Sequence, residues 1–447
     1  TDTTGYSQTS YSVPTGTSTG VIPVGVNAPL SNPFGGTAAI LAPSGNTLGY
    51  LTGTGGSITA QDFKRKAPLV EQYSLNVQHQ LPWGVSLELG YIGAHSKYFP
   101  QNVSINQLTD GQLAQFASGA VALPTGSVPN PYYAPTLTNG TTTYPTTGSL
   151  ASTTIAPTKL LLPYPQFAGN GVTLIESVGY SLYNSMEVKV QKRYHGLTVL
   201  AGYTWSSNWD NFYGAASAFS SSLNSTSGPQ DNYNLKAEYA RAINDIPNRL
   251  TVSGTYELPI GRGRAVFGNM PKWIDFAVGG YEVNDVSILQ NGSPLSFTQT
   301  NLSSSVGTAG FGGSTQRPTL IGNPCYHGTP ESRYNNYFNQ AAFQATPAFT
   351  YASTPRSLAC QGPGYANSDF SVDKTFAVGE RVKIQFRAEA LNATNTPEFA
   401  NPGLAFTTSQ TAQGVAPKAL SASSTTGIIQ GTVGFNRQIQ MGGRITF

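Results

Sequence analysis

Apolar and polar positions alternate along much of the chain with a period of two residues. In SLYNSMEVKVQKRY, residues 181–194, Met186, Val188 and Val190 fall on one side while Ser185, Glu187, Lys189, Gln191 and Arg193 fall on the other. After His195-Gly196 the segment LTVLAGYTW keeps Leu197, Val199, Ala201, Tyr203 and Trp205 in phase. RVKIQFRAEA sets Val382, Ile384, Phe386, Ala388 and Ala390 against Lys383, Gln385, Arg387 and Glu389. The chain closes on RQIQMGGRITF, where Ile439, Met441, Gly443, Ile445 and Phe447 oppose Gln440, Gly442, Arg444 and Thr446. A period of two is the signature of strands with two unlike faces, not of helices.

Extending this reading predicts nine long strands, near 69–81, 85–95, 181–194, 197–209, 249–258, 275–300, 367–377, 381–392 and 437–447. Short connections join them in pairs: Pro82-Trp83-Gly84, His195-Gly196, the segment PIGRGRAVFGNMPK, and Val378-Gly379-Glu380. Between the pairs lie long excursions at 96–180, 210–248, 301–366 and 393–436, rich in Gly, Ser, Thr, Asn and Pro. Short turns on one rim and long loops on the other describe an outer-membrane barrel, and loops of this size are uncommon in compact soluble domains. One helix is predicted inside a loop, at TDGQLAQFAS from Thr109 to Ser118. Residues 1–68 read as an extracellular, low-complexity segment and 69–447 as barrel.

The expected fold is therefore an all-β antiparallel transmembrane barrel, here a partial one of about nine to twelve strands. With nine strands the first and last run in the same direction, and an antiparallel barrel closes only on an even number. An open curved sheet is then expected unless another chain, or strands upstream, completes it. The segment ILQNGSPLSF leaves an alternative: a hairpin at Asn291-Gly292 would give ten strands and permit closure, whereas a bend before Pro294 keeps one long strand.

Composition changes the picture in one respect. Charged residues are only 10% of the 447, against about 25% in ordinary globular proteins. Aromatics reach 11% with 24 Tyr, too many for a disordered chain. No run approaches the roughly 18 apolar residues of a membrane helix, but a transmembrane strand needs only about ten alternating residues. A large β-sandwich or solenoid alternates in the same way. The membrane reading gains from segregation: charges gather on one face of several strands, and a Lys or Arg facing lipid at mid-depth costs about 2 to 4 kcal/mol. Trp83, Tyr91, Tyr194, Tyr203 and Trp205 stand near strand ends, where aromatic girdles sit. A net charge of +3, spread thinly, marks no nucleic-acid face.

Candidate chemistry is sparse. The GTSTG of Gly16 to Gly20 fits a nucleophile elbow in spelling but has no strand before it and no helix after it. His79, His95, His195 and His327 show no metal-ligand spacing. No enzyme, cofactor or metal is expected. The face carrying Glu187, Lys189, Arg193, Lys383, Gln385, Arg387, Glu389 and Arg444 is the candidate lumen, lining a pore or touching a plug. Simple cross-strand charge pairing is the alternative for the same residues. Cys325 and Cys360 fall in one long loop, and an extracytoplasmic compartment permits a disulfide between them; two separate thiols are the other option.

The ordered segments APLVEQYSLNVQHQLPWGVSLELGYIGAHS, INQL, LLPYPQF, YNSMEVKVQKRYHGLTVLAGYTWS, NRLTVSGTYELPIGRG, GGYEVNDVSILQNGSPLSF and RVKIQFRAEALNATNTPEFANP, with the final Phe447, resemble the barrel of Oar-like TonB-dependent outer-membrane transporters, abundant in acidobacteria. The resemblance runs from about residue 30 to the end and implies a bacterial outer-membrane location. In that family the barrel has about 22 strands, a plug, a TonB box and a bulky substrate; here only the carboxyl-terminal part of the barrel is recognised. Expected partners are outer-membrane lipid, the barrel assembly machinery and, through a longer chain, TonB and a plug. Phe447 with Ile439, Met441 and Ile445 resembles the signal read by the assembly machinery, the alternative being a terminal strand that merely packs. A surface structural or adhesive protein, whose loops bind partners, is the competing function.

Overall fold

Nine long strands hydrogen-bond in chain order into one antiparallel sheet. The structure is a computed structural model describing residues 49–139, 142–145, 148–167, 171–212, 229–299, 316–378, 382–407 and 420–447. The strands are β1 Leu69–Leu81, β2 Val85–Ser104, β3 Val172–Tyr194, β4 Leu197–Asp210, β5 Asn248–Glu257, β6 Tyr281–Gln290, β7 Tyr365–Val378, β8 Val382–Leu391 and β9 Gln438–Thr446. A short segment, Ile58–Gln61, adds in parallel to the outer end of β3. Among the described residues no helix is long and apolar enough to cross a membrane.

Local chemistry explains the tight turns. The β3–β4 hairpin turns through His195 and Gly196, both at positive φ, 43° and 83°, as a two-residue loop matched to strand twist requires. Gly196 also has a crowding reason, because a Cβ there would lie 3.1 Å from the Glu257 carbonyl oxygen. Between β1 and β2, Trp83 and Gly84 repeat the positive-φ pair. Helix α1, Asp110–Ser118, starts at a capping box: the Thr109 side chain accepts from Gln112 N, and the Gln112 side chain accepts from Thr109 N. It ends where Gly119 turns left-handed, at φ 73°.

Directly opposed residues share a face of an antiparallel sheet, so the register sorts every side chain. One row runs Val77, Leu89, Val188, Tyr203, Leu250, Leu289, Ala366 across seven strands. Another runs Arg193, Thr198, Thr255, Asn284, Ser371, Glu389, Gln440 on the opposite face. The apolar face is open: Leu75 is 67% exposed and Met441 85%.

The hydrophobic core lies elsewhere. Among the described residues only Val103 and Val172, at the outer ends of β2 and β3, bring the nine strands into the buried apolar set. The rest belongs to the excursions, which pack on one another as a cap. One cluster joins Leu295, Phe297, Phe338, Phe343, Leu358, Phe406 and Ile429; a second places Leu113 and Phe116 of α1 with Leu108, Leu162 and Phe349. Such a distribution suits a wall whose outer face is left to lipid.

Three expectations need correction. The strand expected at 275–300 is only Tyr281–Gln290; a helix, α2, fills Lys272–Val278 before it. After Gln290 the chain neither bends within the sheet nor turns back at Asn291-Gly292. It leaves for the cap, where Pro294 and Leu295 pair with Gln361 and Leu358, because Leu295 and Phe297 are wholly buried there. Strands β2 and β3 run on beyond the predicted 85–95 and 181–194, through a bulge around Ser96 to Pro100. Finally, the apolar face is not free of charge: Glu71 and Lys192 lie in it near the ends of β1 and β3, Lys97 lies in it at the bulge of β2, and further charges lie in it on β6 and β7. Asp285 lies in it, accepting from Ser287 Oγ at 2.8 Å and Ser368 Oγ at 2.7 Å. Lys374 lies in it too, its Nζ over the Tyr281 ring at 4.5 Å and bonded to the Gly279 carbonyl. Both carry local partners, as burial of charge demands. The GTSTG segment lies outside the described residues.

Candidate functional site

The eight residues singled out from sequence share one face. Glu187, Lys189 and Arg193 stand on β3, Lys383, Gln385, Arg387 and Glu389 on β8, and Arg444 on β9 opposite Gln385. They form two patches rather than one, separated by β4 to β7, whose side chains on this face include Thr198, Thr204, Thr251, Thr255 and Asn284. Ile439, Met441 and Ile445 point the other way, opposite Ala390, Ala388 and Ile384. Phe447 follows the last strand and is exposed.

On the β8 side the residues are wired together. Arg387 Nε meets Asp373 Oδ1 at 2.8 Å and its Nη1 meets Glu389 Oε1 at 2.9 Å. Asn284 Nδ2 donates to Asp373 Oδ2 at 2.8 Å, and Gln440 donates to Glu389. Asp373 is buried beneath this network. It was missed in the sequence because alternation marks only the face, and the chain reads SVDKTF with no charge periodicity to single it out. On the β3 side Lys189 lies 3.9 Å from Glu88. Charge pairing thus accounts for part of the set, whereas Glu187, Arg193, Lys383 and Arg444 have no ion pair among the described residues.

Above the long-excursion rim, buried polar groups bind the excursions together. Gln107 Nε2 donates to Asp231 Oδ1 at 2.7 Å, its Oε1 accepts from Asn232 N at 3.0 Å, and Tyr351 lies in the same cluster. Arg317 is paired with Glu238, and Arg356 with Asp210 at the end of β4; all four are buried. Thr354 Oγ1 donates to the Pro318 carbonyl, closing the 316–358 stretch on itself. Burial pulls the Arg317 guanidinium below its usual range, against the opposing pull of Glu238. Burial, reinforced by Asp231 and Asp110, raises the Tyr351 phenol. The predicted disulfide is present, Cys325 to Cys360 with Cα atoms 5.2 Å apart.

Beside it Tyr337 is buried, its ring under the Arg333 guanidinium at 4.1 Å and its hydroxyl donating to the Gln361 carbonyl at 3.2 Å. Burial pushes its pKa from 10.0 up to about 12, against the opposing pull of Arg333. A raised phenol contributes stability that is complete below pH 10 and lost as pH climbs toward 12. The cap is therefore expected to loosen across that window, seen as falling near-ultraviolet circular dichroism, and Tyr337→Phe should weaken the dependence. An identical alkaline profile in the variant would show that Tyr337 plays no part. A cavity of about 460 Å³ opens here, lined by Tyr326, His327, Arg333, Tyr337 and the disulfide. No group of His, Cys, Asp and Glu able to hold a metal occurs among the described residues.

A family model described as an outer membrane beta barrel domain matches residues 1–440. No curated protein matches the sequence. Among solved structures the chain is similar to the outer membrane transporter YddB from Escherichia coli, at 8% identity and TM-score 0.37, over 88% of this chain and 34% of that one. It is also similar to the FrpB iron transporter from Neisseria meningitidis, at 10% identity and TM-score 0.33, over 87% and 32%. The ferripyoverdine receptor of the Pseudomonas aeruginosa outer membrane gives 10% identity and TM-score 0.33, over 85% and 27%. The chain thus spans about a third or less of each of these proteins.

Proposed function

The chain belongs to the outer membrane β-barrel domain family, and from that premise we propose that it is part of the wall of a TonB-dependent transporter of Oar-like type in the bacterial outer membrane. The observation that carries the reading is the two-faced ladder. Glu187, Lys189, Arg193, Lys383, Gln385, Arg387, Glu389 and Arg444 share one face, and the opposite face is mostly apolar and open, its few charges held by local partners or near strand ends. Polar residues then line a lumen or meet a plug, while Ile439, Met441, Ile445 and Phe447 meet lipid and serve the assembly machinery as its signal. The role is passage or binding of a bulky substrate, without bond-making chemistry. All eight strand pairings are antiparallel, so β1 and β9 run in the same direction. Closing these nine described strands into an antiparallel barrel takes an odd number of further strands.

Labelling of single cysteines in reconstituted protein tests the reading. Arg387→Cys is expected to react with a membrane-impermeant maleimide and Met441→Cys only with a lipid-soluble reagent. Equal aqueous reactivity at both positions would sink it.

A second reading is favoured by the cap, whose own core makes it a folded surface body rather than a set of loose loops: a surface anchor that binds partners. Crosslinking in intact cells separates the two, because a transporter is captured by TonB and an anchor is not.

A further inference from the structure

The connection between β5 and β6 is the longest on the short-turn rim, and it holds α2. Its sequence, PIGRGRAVFGNMPKWIDFAVGG, leaves Trp273 75% exposed, Phe276 61% and Phe267 69%, an unusual amount of bare aromatic surface for a turn in water. The helix has a definite seat. Phe276 packs on Phe376 at 4.6 Å between ring centroids, and Phe376 meets Phe386 at 5.9 Å. Phe376 pairs with Ile384 and so belongs to the apolar face. The backbone carbonyl of Gly279, just past the helix, accepts from Lys374 on that same face.

Helix α2 therefore lies against the outside of the wall, at its short-turn end, not across the mouth of the lumen. Its carboxylate is turned inward: Asp275 Oδ1 accepts from the Arg262 amide at 2.7 Å. Arg264 is tied to Glu257 at 3.3 Å, which leaves Arg262 and Lys272 as exposed cations without an ion pair among the described residues. Exposed aromatics recur along this rim at Trp83, Tyr194 and Phe447.

We infer that α2 is a membrane-interface foot, seated in the headgroup region of the periplasmic leaflet, with Trp273 and Phe276 at the acyl boundary and Lys272 and Arg262 beside lipid phosphates. Three observations choose this occupant: the foot continues the apolar face that the proposed function assigns to lipid, its ring-bearing side is bare, and its free charges are cationic. Amphipathic segments of this make-up lie in the interface rather than span the bilayer, and Trp is the side chain that favours that depth. The Gly279 carbonyl also shields Lys374 from hydrocarbon, which gives the foot a second use.

The inference rests on the apolar face meeting lipid, so the test carries its own control. Spin labels are placed on Trp273→Cys, Ala277→Cys and Met441→Cys in protein reconstituted in phosphatidylethanolamine and phosphatidylglycerol vesicles, and collisions with oxygen and with a water-soluble nickel chelate are compared. At 273 and 277 the label is expected at headgroup depth, with oxygen access raised and nickel access reduced relative to a label in the cap. Lipid access at 441 with water access at 273 and 277 overturns the foot and spares the wall. Water access at all three overturns both. Because a label replaces the tryptophan itself, Trp273→Glu and Trp273→Phe are compared as well: the glutamate variant should lower the yield of inserted protein and the phenylalanine variant should not, and equal yields count against the foot.

Discussion

Glu238→Ala is expected to cost the cap about 3 to 5 kcal/mol, the effect of removing one partner from a buried ion pair. Glu238 and Arg317 are both almost wholly shielded from water. Without the carboxylate, Arg317 keeps its charge in a site that has already lowered its proton affinity, and Gln230 N loses its acceptor at 3.1 Å. Arg356 stands next to the pair, and its charge adds repulsion to the stranded guanidinium. Hydrogen exchange at the amides of 230, 317 and 352 reads the loss directly, since Gln230 Oε1 holds both Arg317 N and Ala352 N. A control separates the pair from its desolvation cost. Glu238→Leu with Arg317→Met removes both charges and should recover most of the loss, because an apolar pair of similar volume often equals or betters a buried salt bridge. A single substitution costing less than about 1 kcal/mol would place the pair in water, in the range of exposed ion pairs.

The second large effect is expected at the disulfide. Cys325 and Cys360 are 35 residues apart, and closing a loop of that length stabilises by about 3 to 4 kcal/mol in the chain-entropy model. The bond also has a position. Cys360 is buried in the cluster built on Leu295, Phe297 and Phe338, and Cys325 packs against it. Cys325→Ser with Cys360→Ser should lower the cap's resistance to urea and to proteases by that amount and leave insertion of the strands unchanged, since no residue of the nine long strands belongs to that cluster. Unfolding of cap and wall at one shared, lowered midpoint would mean that the two are a single cooperative unit. An unchanged midpoint would show that the cluster holds the cap without the bond.

Much of the wall was legible in the sequence. The period of two placed all nine strands in order, and because side-chain period and strand pleat coincide, it also assigned the face of Glu187, Lys189, Arg193, Lys383, Gln385, Arg387, Glu389 and Arg444 relative to Met441. Helix α1 was legible for an equally local reason, a capping box at Thr109 and Gln112 with Gly119 behind it. These signals act over a turn or a strand pair, which is the range that residue spacing can encode. Helix α2 was not legible, because seven residues with no N-terminal side-chain cap give too short a pattern to distinguish from a strand.

Apart from α1 and the disulfide, the packing of the cap was decided by tertiary structure alone. Arg317 meets Glu238 across 79 residues and Arg356 meets Asp210 across 146. Segments rich in Gly, Ser, Thr and Asn have no periodic pattern to reveal such partners. Nor does the run at Asn291 announce that the chain leaves the sheet, because Leu295 and Phe297 alternate as strand residues would and only the presence of Phe338, Phe343 and Phe406 makes the cap the better place to bury them. Alternation along one strand is written by its own pleat, whereas the choice between two burial sites belongs to contacts that exist only once distant segments have met.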